Sequence, residues 1–195
     1  MKRAILLTSF ILCAPLIGAH LYVAPNGAST PPYDSWAKAA SNIQMAVDAA
    51  VDDDTVWVTN GVYRTGGRFF GSTAITNRVL VIGPITVRSV NGPEVTIIEG
   101  QPGQGGGCGT GAVRCVYLRT GAQLIGFTLS NGFTSVYGSE EQSWGGGLYA
   151  SQSDVRDCII THCTANNYGG GAALSASAMR DTLVQQTAVN TYGGA

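Results

Sequence analysis

Apolar residues come along this chain in short bursts, separated by clusters of Gly, Ser, Asn and Asp. Short apolar runs bounded by turn-forming clusters predict strands, whereas helices need longer runs with a 3.6-residue period. The bursts also recur. Gly145-Gly146-Gly147 returns as Gly169-Gly170-Gly171 and again as Gly193-Gly194, a period of 24 residues. Between the glycines, LYASQSDVRDCIITHCTANNY and AALSASAMRDTLVQQTAVNTY share Ser151/Ser175, Arg156/Arg180, Asp157/Asp181, Asn166/Asn190 and Tyr168/Tyr192. Apolar positions repeat with them: Val155 with Met179, Ile159 with Leu183, Ile160 with Val184. Self-similarity at this period marks an array in which each unit buries its face on the next.

Neither copy has the L-x-x-L-x-L-x-x-N run of a leucine-rich repeat, and neither has the long apolar pattern of a helical repeat. Short strands with one turn of chain per period predict an all-β solenoid, a parallel β-helix, whose strands pair roughly 4.8 Å above and below one another. Upstream, His20 to Ala24 reads as a strand. Ser41 or Asn42 caps a helix running to about Val51, with Ile43, Ala46, Val47 and Ala50 on one face. Thr55 to Thr59 then alternates as a strand, and Asn60-Gly61 turns into Val62-Tyr63. The amphipathic helix suits a cap, because the first turn of a solenoid exposes an apolar end and unpaired strand edges. VLVIG, ITVRSV and VTIIEG make the first full coil. Two excursions, 101–111 and 132–144, interrupt the later ones, and Leu124, Phe127 and Leu129 align with Val155, Cys158 and Ile160. The expected organisation is a leader over 1–19, a strand and helix cap over 20–75, and coils over 76–195. A third copy breaks off at Ala195, which points to the N-terminal part of a larger protein.

Composition sharpens this picture in three places. Gly is 27 of 195 residues without a collagen period, which fits a turn-dense β fold in which positive φ at repeat turns is cheap for Gly. Lys2 and Arg3 precede an apolar run from Ala4 to Ile17 and then Gly18-Ala19, the pattern of a signal peptide cleaved after about Ala19. The run is too short for a spanning helix, so the expected destination is secretion or the cell surface. Removing Lys2 and Arg3 from 11 basic side chains leaves 9 against 12 acidic ones, a net of −3 with Lys38 the only remaining lysine. A phosphate backbone needs a basic stripe, so nucleic acid is excluded as a partner.

Four cysteines follow the leader: Cys108, Cys115, Cys158 and Cys163. Export permits disulfides. Cys108 and Cys115 bracket a Gly-rich loop whose closure contributes about 2.5 kcal/mol on chain entropy, so a Cys108–Cys115 bridge is preferred over two free thiols. Cys158 and Cys163 lack the spacing of a zinc site, and no metal is expected from the motifs.

The segments SWAKAASNIQMAVDAAVDDDTVWVTNGVY, ITVRSVNGPEVTIIEG, GAVRCVYLRTGAQLIGFTLSNG and the glycine-ended copies resemble secreted right-handed parallel β-helix repeat proteins of bacteria. These include the pectin-lyase-like superfamily and surface proteins related to polymorphic outer membrane proteins. The resemblance covers nearly all of the chain after the leader, departing at Asp53, where relatives commonly carry Gly. It implies a fold and a location more than a reaction, since one scaffold carries lyases, hydrolases and adhesins. For a lyase it implies carboxylates that hold calcium and a basic residue that removes a proton next to a uronate.

The repeat itself supplies Asp157 above Asp181, with Arg156 and Arg180 beside them. Two carboxylates stacked about 5 Å apart repel by roughly 0.8 kcal/mol in water, which a cation or flanking arginines offset. They are candidate catalytic residues or else turn-forming aspartates with solvent-facing arginines. Tyr149, Tyr168, Tyr192 and Trp144 are candidates for an aromatic surface that takes sugar rings, or for packing at the turn. With two histidines and no G-x-S-x-G elbow, a nucleophilic triad has no support. The expected role is therefore a secreted scaffold for adhesion or carbohydrate binding, and the competing role a polysaccharide lyase or hydrolase.

Overall fold

The computed structural model describes residues 18–71, 75–137 and 140–190. The leader through Ile17, Tyr192 and the glycine pair Gly193-Gly194 lie outside them. Strand accounts for 42% and helix for 8%, which places the chain in the all-β class.

Three sheets take the strands in rotation. The first holds His20–Val23, Thr55–Val58, Thr86–Ser89, Gln123–Ile125, Asp154–Arg156 and Ala178–Arg180. Gly61–Tyr63, Thr96–Glu99, Thr128–Ser130, Ile159–Thr161 and Leu183–Gln185 form the second. In the third are Arg68–Phe69, Thr76–Ile82, Val113–Arg119, Leu148–Ser151 and Ala172–Ser175. A small pair, Thr164–Ala165 with Ala188–Val189, completes the set. From Thr55 on, the chain visits the first sheet, the second, the third, and then the first again. Apart from Arg68–Phe69, every strand pairs parallel to its neighbours.

Register follows the sequence period. Val155 pairs with Met179 and with Leu124, and Ile160 pairs with Val184 and with Leu129, so side chains of one kind pile into columns. Because side chains alternate in direction along a strand, one column set per sheet faces inward. Val56, Val87, Leu124 and Val155 from the first sheet meet Tyr63, Ile98, Leu129 and Ile160 from the second. Val79, Val116 and Leu148 arrive from the third to complete one buried core. Each fully buried aliphatic side chain contributes roughly 1.5–3 kcal/mol.

The helix forms over Ile43–Ala49, capped by Asn42, whose Oδ1 accepts the Met45 N–H at 3.0 Å. It ends short of Val51 because the Asp54 carboxylate takes the Val51 N–H at 2.9 Å and, on its other oxygen, the Ala19 N–H at 2.7 Å. Ile43, Ala46 and Val47 join the core. Gln44, expected on no apolar face, is buried and serves the sheet: its Oε1 accepts the Leu80 N–H at 2.7 Å and its Nε2 donates to the Leu80 C=O at 3.2 Å. One side-chain amide thus supplies the hydrogen bonds that a further strand would have given this edge.

The glycine triplets work differently from the expectation that positive φ explains them. Only the first of each does, Gly145 at +64° and Gly169 at +58°. At the second of each, backbone passes too close: a Cβ on Gly146 would sit 2.4 Å from the Thr164 carbonyl oxygen, and one on Gly170 2.0 Å from that of Ala188. Positive φ falls instead on three columns of strand-end residues: Thr120/Gln152/Ala176, Gly126/Asp157/Asp181 and Asn131/His162/Gln186.

The expected Cys108–Cys115 bridge is not formed, and all four cysteines are free thiols. Cys108 sits in the Gly-rich excursion, where its Sγ donates to the Thr164 C=O at 3.5 Å. Cys115 points into the core and donates to the Ser130 C=O at 3.1 Å.

Candidate functional site

After Thr55, the long connections leave from one junction, between the second sheet and the third. They are residues 64–75, 100–112 and 131–147, while the other two corners are short. Loops on one flank of a rigid stack are where binding residues are most often carried.

An aromatic ladder runs along this flank on the outer face of the third sheet. Leu80, Tyr117, Tyr149 and Ala173 are in register across four strands. Phe70 stacks on Tyr117 with ring centroids 4.9 Å apart, and Tyr117 on Tyr149 at 5.1 Å. Both spacings lie in the range that offset-stacked rings prefer. Tyr149, a candidate for the exposed surface, is only 9% exposed and belongs inside this ladder. The ladder stops at Ala173, where the repeat puts a methyl group in place of a ring.

Beside that stop lies a shallow cleft of about 470 Å³, lined by Trp144, Tyr168, Gly169, Ala172, Ala173 and Leu174. Trp144 meets Tyr168 edge to face, centroids 5.0 Å apart and planes at 77°, and the two residues form a parallel bridge. Tyr168 is 48% exposed. Two candidate aromatics are therefore brought together at the surface, one is buried behind them, and Tyr192 lies outside the described residues.

What seats Trp144 is Arg114, a residue that sequence reasoning missed. Its guanidinium is fully buried and has no carboxylate within ion-pair distance among the described residues. It donates instead to the carbonyls of Gly145 at 2.8 Å, Glu141 at 2.6 Å and Trp144 at 2.8 Å, and to Asn77 Oδ1 at 2.8 Å. Its charge also lies 5.7 Å from the Tyr117 ring centre and 5.6 Å from that of Tyr149, within cation–π range. Burial pulls the Arg114 pKa down to about 10, against the opposing pull of the two tyrosines and Glu141, so it remains a cation at neutral pH. Burial also pushes the Tyr117 phenol up to about 12. Glu141 pushes in the same direction, and the neighbouring Arg119 opposes them by favouring the ionised form.

The charged candidates lie on the first sheet, around a corner from this cleft. Arg156 and Arg180 are in register, as the period predicts. Their carboxylate partner is Asp154, 3.2 Å from each. Asp157 and Asp181 are exposed at left-handed corners, φ +53° and +48°, a conformation that short polar side chains tolerate. Trp57, Arg88, Ile125, Arg156 and Arg180 share one outward column, with the Arg88 guanidinium 5.3 Å from the Trp57 ring centre. Among the described residues, no three His, Cys, Asp or Glu converge on a metal position, and no helix is long and apolar enough to cross a membrane. The chain matches no protein-family model, no curated protein and no solved structure.

Proposed function

We propose that this chain is a right-handed parallel β-helix with an N-terminal helical cap, secreted or displayed at a cell surface, where it binds carbohydrate. Three sheets visited in rotation by parallel strands support the wound topology, and parallel crossovers are right-handed in about 98% of cases. The observation that carries the binding reading is the aromatic ladder ending at Ala173 beside the Trp144–Tyr168 pair. A stack with a 5 Å repeat that loses its next ring leaves a slot about the thickness of a pyranose, with an aromatic wall for its C–H face.

The test is a glycan array followed by calorimetry on the hits. Trp144→Ala and Tyr168→Ala are each expected to weaken binding at least about tenfold, the equivalent of one aromatic contact of about 1.4 kcal/mol. Binding that survives both changes refutes the site.

The outward column with Arg88, Arg156 and Arg180 favours a second reading, a lyase that acts on an acidic polysaccharide. Uronate release with added calcium that disappears in Asp157→Ala or Asp181→Ala would establish that reading and overturn the scaffold.

A further inference from the structure

Two thiols of neighbouring repeats meet in the core at a place where both facing positions are glycine. Cys115 is the third residue of the third-sheet strand Val113–Arg119, and its register partner in the next repeat is Gly147, one position before the Val116–Leu148 pair. Cys163 follows the second-sheet strand of that next repeat, and its register partner below is Gly132, one position before the Phe133–Thr164 bridge. Each sulfur occupies the space that a side chain on the opposite glycine would need. A Cβ on Gly132 would lie 2.9 Å from the Cys115 Sγ, and one on Gly147 would lie 3.0 Å from the Cys163 Sγ. The Gly132 N–H donates to the Cys163 Sγ at 3.4 Å, so both sulfurs lie against Gly132. Both residues are 0% exposed.

We infer that Cys115 and Cys163 form a disulfide that staples successive repeats when the chain folds in an oxidising compartment. The glycines at 132 and 147 are what let the sulfurs approach along the diagonal, and Cys108, held at Thr164 and Thr134 in its own excursion, is excluded. The oxidant is a disulfide, carried by a protein or a small thiol compound. The thiolate of one cysteine attacks it and expels one thiol, leaving a mixed disulfide. The second thiolate then displaces the other thiol. Two cysteine thiols lose two electrons and two protons, and one disulfide is reduced to two thiols. Burial raises the Cys115 thiol and seals both sulfurs, so the exchange takes place before the repeats close and the bond is protected afterwards.

Peptide mapping of the unmodified full chain tests this without any variant. Protein made in an oxidising compartment is denatured, alkylated without reductant and digested. The expected result is a cross-linked peptide pair joining Cys115 and Cys163, with Cys108 and Cys158 alkylated. Alkylation of Cys115 and Cys163, or a cross-link from either to Cys108 or Cys158, overturns the inference. Because the positions are 48 apart, the closed loop is long, and reduction is expected to lower Tm by about 10 °C. A Tm that does not move on reduction refutes the stapling role.

Discussion

Replacing Arg114 by Met removes the charge and the fork of donors while keeping most of the stem. The guanidinium gives four hydrogen bonds, three of them to backbone carbonyls of the 141–145 segment. Hydrogen bonds from a charged donor are worth about 1.5–3 kcal/mol each, and the cost of burying the cation offsets several kcal/mol of that sum. Removing one partner also leaves carbonyls buried without donors, so the net loss is about 3–5 kcal/mol. The loss falls mainly on the loop, because three of the four acceptors belong to it and only Asn77 lies on a neighbouring strand. Hydrogen exchange reads it out at three amides that depend on the loop being seated: Ser135, bonded to the Gln142 C=O, Asn166, bonded to Thr134 Oγ1, and Asn167, bonded to the Ser143 C=O. A loss of about 3 kcal/mol opens them at least about 100-fold more often. Lys at position 114 keeps the charge without the fork and should fall in between. Exchange at all three amides within about threefold of the parent in Arg114→Met would refute the idea that this arginine holds the loop and, through it, Trp144.

Three further outcomes follow from the corners and the core. Gly146→Ala is expected to cost at least about 3 kcal/mol in urea titration, because its Cβ meets backbone oxygen at 2.4 Å, whereas Gly107→Ala, at φ +85° with open space around it, should cost only about 1 kcal/mol. Ala176→Gly relieves a left-handed alanine at φ +48° and should gain about 0.5 kcal/mol after the entropy of the added glycine, seen as a small rise in urea midpoint. Burial pushes the Cys158 thiol up to about 11 from 9.0, so its contribution is complete below pH 9 and is lost as pH rises from there through 11. The loss amounts to roughly 2–3 kcal/mol, and a Cys158→Val variant should lack that component of the alkaline decline in denaturant midpoint.

The period made the columns legible. Val155 over Leu124 and under Met179, and Ile160 between Leu129 and Val184, follow from spacing alone, since a one-residue slip would turn every inward side chain outward. Asn42 as the helix cap was equally readable. The site was not, because its parts have no common spacing. Arg114, Tyr117 and Phe70 belong to the stretch before the regular copies, and Tyr149 is covered by a ring 32 positions away. The sequence shows polar residues at 132–144, which read as a surface loop. Buried Thr134, Ser135 and Ser143 show that it is instead folded down around a cation. Cys115 was matched to its nearest neighbour in sequence, while its neighbour in space is set by two glycines whose role is to be small.

The placement of the long connections after Thr55 at one junction has a practical corollary. Segments there can grow, shrink or be exchanged while each strand keeps its phase, since the chain always re-enters at the same edge of the third sheet. Recognition and architecture are thus written in largely separate alphabets, and a foreign loop inserted at Gly105–Gly107, where nothing crowds the backbone, would inherit a finished pedestal.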